Sequence, residues 1–317
     1  MHILVTGGAG FIGSHLCDHL LKDGHSIVVV DDLSLGVRSN IEHLLDRDDF
    51  TFHELSMLEP AFEGVVSGGE FDCVFHLAAN SDIQAGSRDR KVDLDKTFMT
   101  TWVTLEYMAR AKVPRLVFAS TSAIYGEVEE PTHEDYGPLV PVSFYGAAKL
   151  ASEAYASAYA HRGDIQTWVY RFPNVVGSRA THGVILDFVR RLIDEPSVLR
   201  VLGDGSQEKP YLYVHDLIEA MLFAWKNAEP KPYEVFNIGP QTATRVRSIA
   251  EIVVDKMGLK DSARIEYGTE PRGWPGDVPK FAYDLSKIMA LGWKPTATSD
   301  DAVMRAAQDI IAEQRAR

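Results

Sequence analysis

The sequence predicts an α/β protein, a Rossmann-like doubly wound parallel sheet with a smaller C-terminal α/β lobe. Three observations predict it. Short apolar runs recur through the first half, at 3–5, 26–30, 73–77, 116–119 and 167–171; runs of that length and character are strands buried on both faces. Amphipathic stretches of helical period separate them. A glycine-rich turn, Gly7-Gly8-Ala9-Gly10-Phe11-Ile12-Gly13, joins the first run to the first such stretch.

Taken in order, the first strand is followed by Ile12, Leu16 and Leu20 at helical spacing, and Gly24 stands where that helix must stop. With the run at 26–30 this completes a βαβ unit. Further helices are expected at 95–111 and 145–160, which puts helices on both faces of the sheet and ligands at the carboxyl ends of its strands. After Gly177 the alternation loosens into mixed segments at 184–193, 215–225 and 248–257 and a Pro/Gly-rich stretch at 271–279. The expected division is a dinucleotide-binding domain over 1–176, to which the chain returns in parts of 212–240, and a mainly substrate-binding lobe over 177–317. No internal repeat is visible, and the charged tail at 313–317 reads as a solvated helix end.

Bulk properties narrow the function. The chain has 317 residues, is 45% apolar and carries a net charge of −13, enough for a large core and unsuited to the phosphate-dominated electrostatics of nucleic-acid binding. Its two cysteines, Cys17 and Cys73, read as buried thiols in a reducing compartment. No apolar run approaches the ~20 residues that span a bilayer, and the N-terminus lacks the basic head of a signal peptide. A cytoplasmic protein is expected. No histidine combines with Asp, Glu or Cys at a recognised metal-ligand spacing.

The glycine turn carries the first chemistry. Gly7, Gly10 and Gly13 let the backbone approach a pyrophosphate, and the helix beginning near Phe11 and Ile12 offers unpaired N–H donors to it. Asp31 ends the second strand about 20 residues on, where a carboxylate can accept from both ribose hydroxyls and repel a 2′-phosphate. The competing readings are that Asp31 caps a turn, or that Arg38 recruits NADP. Asp32 and Ser34 are secondary adenosine contacts.

Tyr145 and Lys149 stand four residues apart and share one helix face. A phenol with an ordinary pKa near ~10 can act as a base near neutrality only if neighbours supply about 4 kcal/mol, which an ammonium and an oxidised nicotinamide can do together. Such a pair by itself is common on surface helices. Here, the strand at 116–119 runs into Ser120-Thr121-Ser122, placing hydroxyls at its carboxyl end; Thr121 is the one expected to orient a substrate alcohol and relay its proton to Tyr145. Ser120 and Ser122 also suit plain strand-end hydrogen bonding.

These features, with His76-Leu77-Ala78-Ala79 and Arg171-Phe172-Pro173-Asn174, resemble the extended short-chain dehydrogenase/reductase superfamily. The likeness is to its NAD-dependent epimerase/dehydratase family and, within it, to the UDP-glucose 4-epimerase group. It spans nearly the whole chain, through Gly203-Asp204-Gly205-Ser206-Gln207, Tyr213-Val214-His215-Asp216, Asn237-Ile238-Gly239, Arg272 with Gly276-Asp277, and Leu291-Gly292-Trp293. The resemblance implies NAD as cofactor, lined by Leu77, Ala78, Ala79 and Phe172, with Tyr145 as base, Lys149 on the nicotinamide ribose and Thr121 on the sugar. It implies substrate contacts from Ser122, Asn174, Gln207, Lys209 and Tyr211, with Arg272 on the diphosphate and Asp277 on the ribose. Arginine's planar fork suits a diphosphate, although Arg272 also reads as an exposed loop charge. The substrate implied is a nucleotide sugar, a UDP-hexose favoured, and the family's dimers make a homodimer through the helices at 95–111 and 145–160 the expected assembly.

The sequence departs from the family pattern in places. Dehydratases carry an Asp-Glu pair after the catalytic threonine, where this chain has Ser122-Ala123; elimination lacks its acid and base, which favours 4-epimerisation. A common asparagine is Thr97, a usual arginine is Lys209 followed by Pro210, and an Asp-Ile pair against adenine is Ser56-Met57. Phe281 falls where a bulky side chain crowds the sugar pocket, favouring a plain hexose. The alternatives are another sugar epimerase, a keto-sugar reductase or dehydratase on the same scaffold, or a non-catalytic NAD sensor.

Overall fold

The computed structural model describes residues 1–273 and 278–316. The first half comprises β1 (His2–Thr6), α1 (Phe11–Lys22), β2 (Ser26–Asp31), β3 (Phe50–Glu54), α2 (Ala61–Gly68), β4 (Cys73–His76), α3 (Ile83–Arg88), α4 (Arg90–Asp93), α5 (Thr100–Ala111), β5 (Arg115–Thr121), α6 (Phe144–Arg162), β6 (Gln166–Phe172) and β7 (Asn174–Val176). Then follow α7 (Val184–Asp194), β8 (Val198–Val201), β9 (Glu208–Lys209), β10 (Tyr211–Tyr213), α8 (Val214–Asn227), β11 (Tyr233–Asn237), β12 (Thr244–Arg245), α9 (Val246–Lys256), β13 (Arg264–Tyr267), α10 (Ser286–Leu291) and α11 (Ser299–Ala316).

Seven strands form one sheet in the order β11-β6-β5-β4-β1-β2-β3, and every pairing in it is parallel. The order reverses between β1 and β4, which opens a crevice at their carboxyl ends. All five apolar runs are sheet strands. The sequence did not signal the two edges, β3 and β11, because an edge strand needs no continuous apolar run: β3 reads Phe-Thr-Phe-His-Glu and buries only Phe50.

Apolar clusters cover both faces of the sheet. A further cluster, with Ile185, Leu192, Leu199, Val253 and Val303, joins α7, β8, α9 and α11. The chain comes back to the sheet through α8, packed on α1, and β11, paired with β6.

Two helices carry the site. The helix expected at 95–111 begins instead with a π-helical turn, Leu94–Met99, before α5. The carbonyls of Lys96 and Thr97 accept from Thr100 Oγ1 at 2.9 and 3.1 Å, and that of Thr97 also accepts from Thr101 Oγ1 at 2.8 Å; hydroxyls that compete for backbone acceptors make such a turn tolerable. Helix α6 is capped by Ser143, whose hydroxyl accepts from Gly146 N at 3.0 Å, and ends at Gly163 with φ +83°. Glu153 near its middle is buried against Arg171 of β6, 2.7 Å between Nη2 and Oε2, with side-chain exposures of 4% and 6%. Ser120 Oγ donates to the same carboxylate, and Arg171 Nη1 reaches Tyr125 Oη at 2.9 Å and Glu134 O at 2.8 Å.

Removing one partner of a buried ion pair leaves the other charge without compensation, at a cost of ~3–5 kcal/mol, whereas replacing both by apolar groups is often close to neutral. Glu153→Ala is therefore expected to lower unfolding stability by about that amount in urea titrations, and Glu153→Met with Arg171→Met to recover most of it. A double variant as unstable as the single one would contradict this account of the pair.

Candidate active site

A cavity of about 820 Å³ crosses the carboxyl edge of the sheet. Its floor is the glycine turn. A Cβ on Gly7, where φ is +72°, would lie 2.7 Å from Ala78 N, and one on Gly13 would lie 2.1 Å from Gly7 O; the turn and the strand behind it close up only because both lack side chains. Gly10 is the N-cap of α1 and supplies no side-chain cap, so the N–H donors of the first turn are left for an anion. Asp31 Oδ2 accepts from Ala9 N at 3.0 Å and Oδ1 from Leu33 N at 2.9 Å. Burial raises this carboxyl above its ordinary range while these amides oppose the rise. A carboxylate has lone pairs to spare beyond two amides, so Asp31 can hold the turn and still meet a ribose. The residues present thus fit an NAD dinucleotide: donors for a pyrophosphate, an acceptor for an unphosphorylated ribose, and room left by missing side chains. Arg38 pairs at 3.5 Å with Glu54, the register partner of Asp31 on β3, sits over the Phe52 ring, and is not part of the cavity lining.

At the middle of the cavity, α6 lies across the end of β5 in a fixed register. Lys149 Nζ donates to Ala119 O at 2.6 Å, Ser120 Oγ donates to Glu153, and the Thr121 hydroxyl, which accepts from Ala123 N at 3.1 Å, stands next to the Tyr145 phenol. Three consecutive strand residues thus engage positions 149, 153 and 145 of one helical stripe. Lys149 is only 2% exposed and lies 4.7 Å above the Phe118 ring. Burial pushes its ammonium down to about 7, with Glu153 pulling the other way. Burial pushes the Tyr145 phenol above its ordinary value, the neighbouring Thr121 hydroxyl opposes that rise, and Asp93 adds to it. In this state the pair holds one readily lost proton, and a positive charge brought to the phenol favours its ionised form.

The cavity wall includes Gly7, Gly10, Phe11, Ile12, Gly13, Asp31, Asp32, Ser34, Ser56, Met57, Leu77, Ala78, Ala79, Thr121, Tyr145, Lys149, Phe172, Asn174, Gln207, Lys209 and Tyr211. Sequence reasoning had marked all of these, and folding brings them to one space. Ser122, Arg272 and Phe281 it does not bring there. Ser122 sits beside the Tyr283 phenol, because the chain turns into a short 3-10 helix at Ser122–Ile124. Arg272 is held by Glu127, with contacts of 2.7 and 2.9 Å. Phe281 packs edge-on to Tyr283 and stacks on Tyr125, so it does not crowd the cavity as expected. Asp277 and Gly276 lie outside the described residues.

Several lining residues went unmarked. Asn80, Ser81, Asp82 and Gln84 form one wall, Lys96 comes from the π-helical turn, and His182 Nε2 meets Ser81 Oγ at 2.8 Å. The first group was within reach, since it directly follows Ala79 at a strand's carboxyl end; nothing local to 96 or 182 gave a signal. Gln207 stands out differently: it is 2% exposed and neither amide atom has a partner among the described residues. Buried amides are normally paired, so a free donor and acceptor in the wall are ready for a ligand.

Fold and site together define an NAD-dependent Rossmann-like enzyme with a tyrosine, lysine and threonine at its centre. The model of the NAD-dependent epimerase/dehydratase family matches residues 3–239, and the chain belongs to that family. It is similar to the UDP-glucose 4-epimerase of Mycolicibacterium smegmatis, 31% identical over 305 residues that cover 93% of this chain and 94% of that one. A crystal structure of a UDP-galactose 4-epimerase superposes with a TM-score of 0.87 at 38% identity, covering 99% of each chain. A UDP-glucuronic acid 4-epimerase from Bacillus cereus, in complex with UDP-glucuronic acid and NAD, superposes with a TM-score of 0.88 at 28% identity, covering 99% of this chain and 100% of that one.

The depressed Lys149 has a measurable consequence. Its proton binds more weakly in the folded than in the unfolded chain, so the cost of burying the charge is full below pH ~7 and disappears as pH rises toward ~10.5. Cofactor-free protein is expected to gain a few kcal/mol of stability between those limits, and Lys149→Met to lose that pH dependence. Parallel urea titrations across the range check it; identical slopes for the two proteins would count against a buried, depressed ammonium.

Proposed function

We propose that this protein is a nucleotide-sugar 4-epimerase acting on a neutral hexose, of the UDP-glucose/UDP-galactose type. The observation that carries this reading is a single proton-handling centre: Tyr145 with Thr121 and Lys149, and no carboxylate at 122 or 123. Bound NAD supplies the place where a hydride is parked and from which it returns. Thr121 orients the C4 hydroxyl, Tyr145 in its ionised form takes that proton as the hydride leaves, and the phenol so formed returns the proton to the oxygen after the sugar has turned its other face. Lys149 keeps positive charge beneath the phenol during both steps. Epimerisation needs only this reversible transfer, whereas dehydration needs a further acid and base.

A neutral sugar is supported by the wall at Asn80, Ser81, Asp82, Ile83, Gln84 and Ala85, on the side of α3 that packs against α6. Its one charged group is Asp82, which caps α3 and pairs with Arg88 at 3.7 Å, so this wall itself offers a uronate carboxylate no cation. Of the described lysines of the lining, Lys96 is paired with Asp32 and Lys149 donates to Ala119 O at the centre.

We also propose a homodimer and a cytoplasmic setting. Leu94, Trp102, Phe144 and Tyr155 are exposed, Phe98 meets Tyr155 edge-on with ring centroids 5.2 Å apart, and Ala154 and Ala158 lie on the same outer side of α6. An apolar patch shared by two long helices suits a second copy. Cys17 and Cys73 are free, buried thiols, as a reducing compartment permits. Residues 1–176, with the return through 212–240, make the cofactor domain in this reading, and the remainder of 177–317 the substrate lobe.

Incubation with UDP-, GDP-, CDP- and dTDP-sugars, with product analysis, is expected to show inversion at C4 of a UDP-hexose without net redox change. Water loss, preference for a UDP-uronate, or conversion only with added NADPH would overturn the assignment. Tyr145→Phe is expected to lower turnover at least ~100-fold with little effect on sugar-nucleotide binding. For the assembly, Trp102→Glu is expected to convert a dimer to a monomer by light scattering; a wild-type protein that is monomeric at micromolar concentration would refute it.

A further inference from the structure

We propose that Lys96 and Asp32 form a strap across the adenosine end of the cofactor crevice, and that this strap sets how long the dinucleotide stays bound. The two residues come from opposite banks. Asp32 directly follows β2, whereas Lys96 lies in the π-helical turn between β4 and β5, and β1 stands between β2 and β4 in the sheet. A bond between them therefore crosses the crevice where the strand order reverses, which is where a dinucleotide lies. Both line the same cavity, in company with Asp31, Ser34, Leu55 and Met57, and Lys96 Nζ donates to Asp32 Oδ2.

Each end is held so that the pair can meet. Asp32 Oδ1 accepts from Ser34 N at 3.0 Å, which fixes the carboxylate's direction. The backbone beneath Lys96 is pinned by Thr100 and Thr101, and Thr97 Oγ1 accepts from Asn80 N at 3.1 Å. A continuous α-helix through 95–111 would advance the chain with a different rotation per residue and would change where residue 96 points. The π-helical turn is thus the local irregularity that aims the lysine at β2. Burial would raise the Asp32 carboxyl, but hydrogen bonds from Lys96 and Ser34 hold it below its ordinary value, so Asp32 stays a carboxylate at neutral pH.

The charges also matter to the cofactor. Asp31 and Asp32 side by side present two carboxylates to a ligand that carries an anionic pyrophosphate, and Lys96 offsets one of them. Near neutrality the closed strap is electrostatically compatible with a pyrophosphate, and its opening is a step on the way out. Because both partners are partly exposed, the pair's contribution is modest and sensitive to salt.

The test uses the purified holoenzyme and follows release of NAD by displacement with excess NADH, read as nicotinamide fluorescence. Lys96→Gln and Asp32→Asn are each expected to raise the release rate by roughly three- to tenfold, the double variant no further, and the charge-swapped D32K/K96D protein to fall back toward wild type. Raising salt from about 50 to about 500 mM is expected to speed release from wild type and to leave Lys96→Gln nearly unchanged. Release rates equal to wild type in Lys96→Gln, additive effects of the two single variants, or a wild-type rate indifferent to salt would each overturn the strap. Lys96 lies outside the hydrophobic core, so its variant tests the idea even if Asp32→Asn loses NAD during purification.

Discussion

The site depends on one constraint, the register in which α6 lies against the end of β5. Ala119, Ser120 and Thr121 face Lys149, Glu153 and Tyr145, so strand and helix are joined at three successive points, two of them through buried ionisable groups. A slip of one residue along β5 would turn each side chain to the opposite face and separate the threonine from the phenol. The Glu153–Arg171 pair extends the joint to β6. Through Tyr125, whose hydroxyl donates to Asn237 Oδ1 at 2.8 Å, it reaches β11 as well. This joint is therefore held rigid across β5, β6 and β11 together.

That rigidity has an electrostatic counterpart. Burial moves Lys149 and Tyr145 in opposite directions, each toward its neutral form, because a low-dielectric site penalises both charges. Glu153, two turns of α6 from the phenol, is the counter-charge that keeps the ammonium from falling further. A base that waits in its neutral form and ionises when positive charge arrives is suited to a reaction in which the proton is taken and given back. The adenosine end follows a different rule. There, in the strap we propose, a partly exposed ion pair joins the residue after β2 to the π-helical turn.

Much of this was legible in the sequence because it is local. The glycine turn, the apolar strands, Asp31 and the Tyr145/Lys149 spacing each follow from backbone sterics or from the period of a helix or strand. The edges β3 and β11 were not legible, since strands buried on one side carry a weak pattern. The π-helical turn was not either, because the residues at 94–99 satisfy helical periodicity equally well. Ser122, Arg272 and Phe281 were marked by position in a motif and face Tyr283, Glu127 and Tyr125 instead; a motif gives a residue's place along the chain and leaves its rotamer open.

By itself, then, the sequence determined the fold class, the glycine turn and the helical spacing that puts Tyr145 and Lys149 on one face, because these rest on short-range geometry that every copy of such a segment must obey. Only the tertiary structure decided which side chains share the cavity, how far burial displaces Lys149 and Tyr145, and that Lys96 meets Asp32. Those outcomes depend on the packing of segments up to 64 residues apart or more, and no pattern within one segment records what another will bring against it.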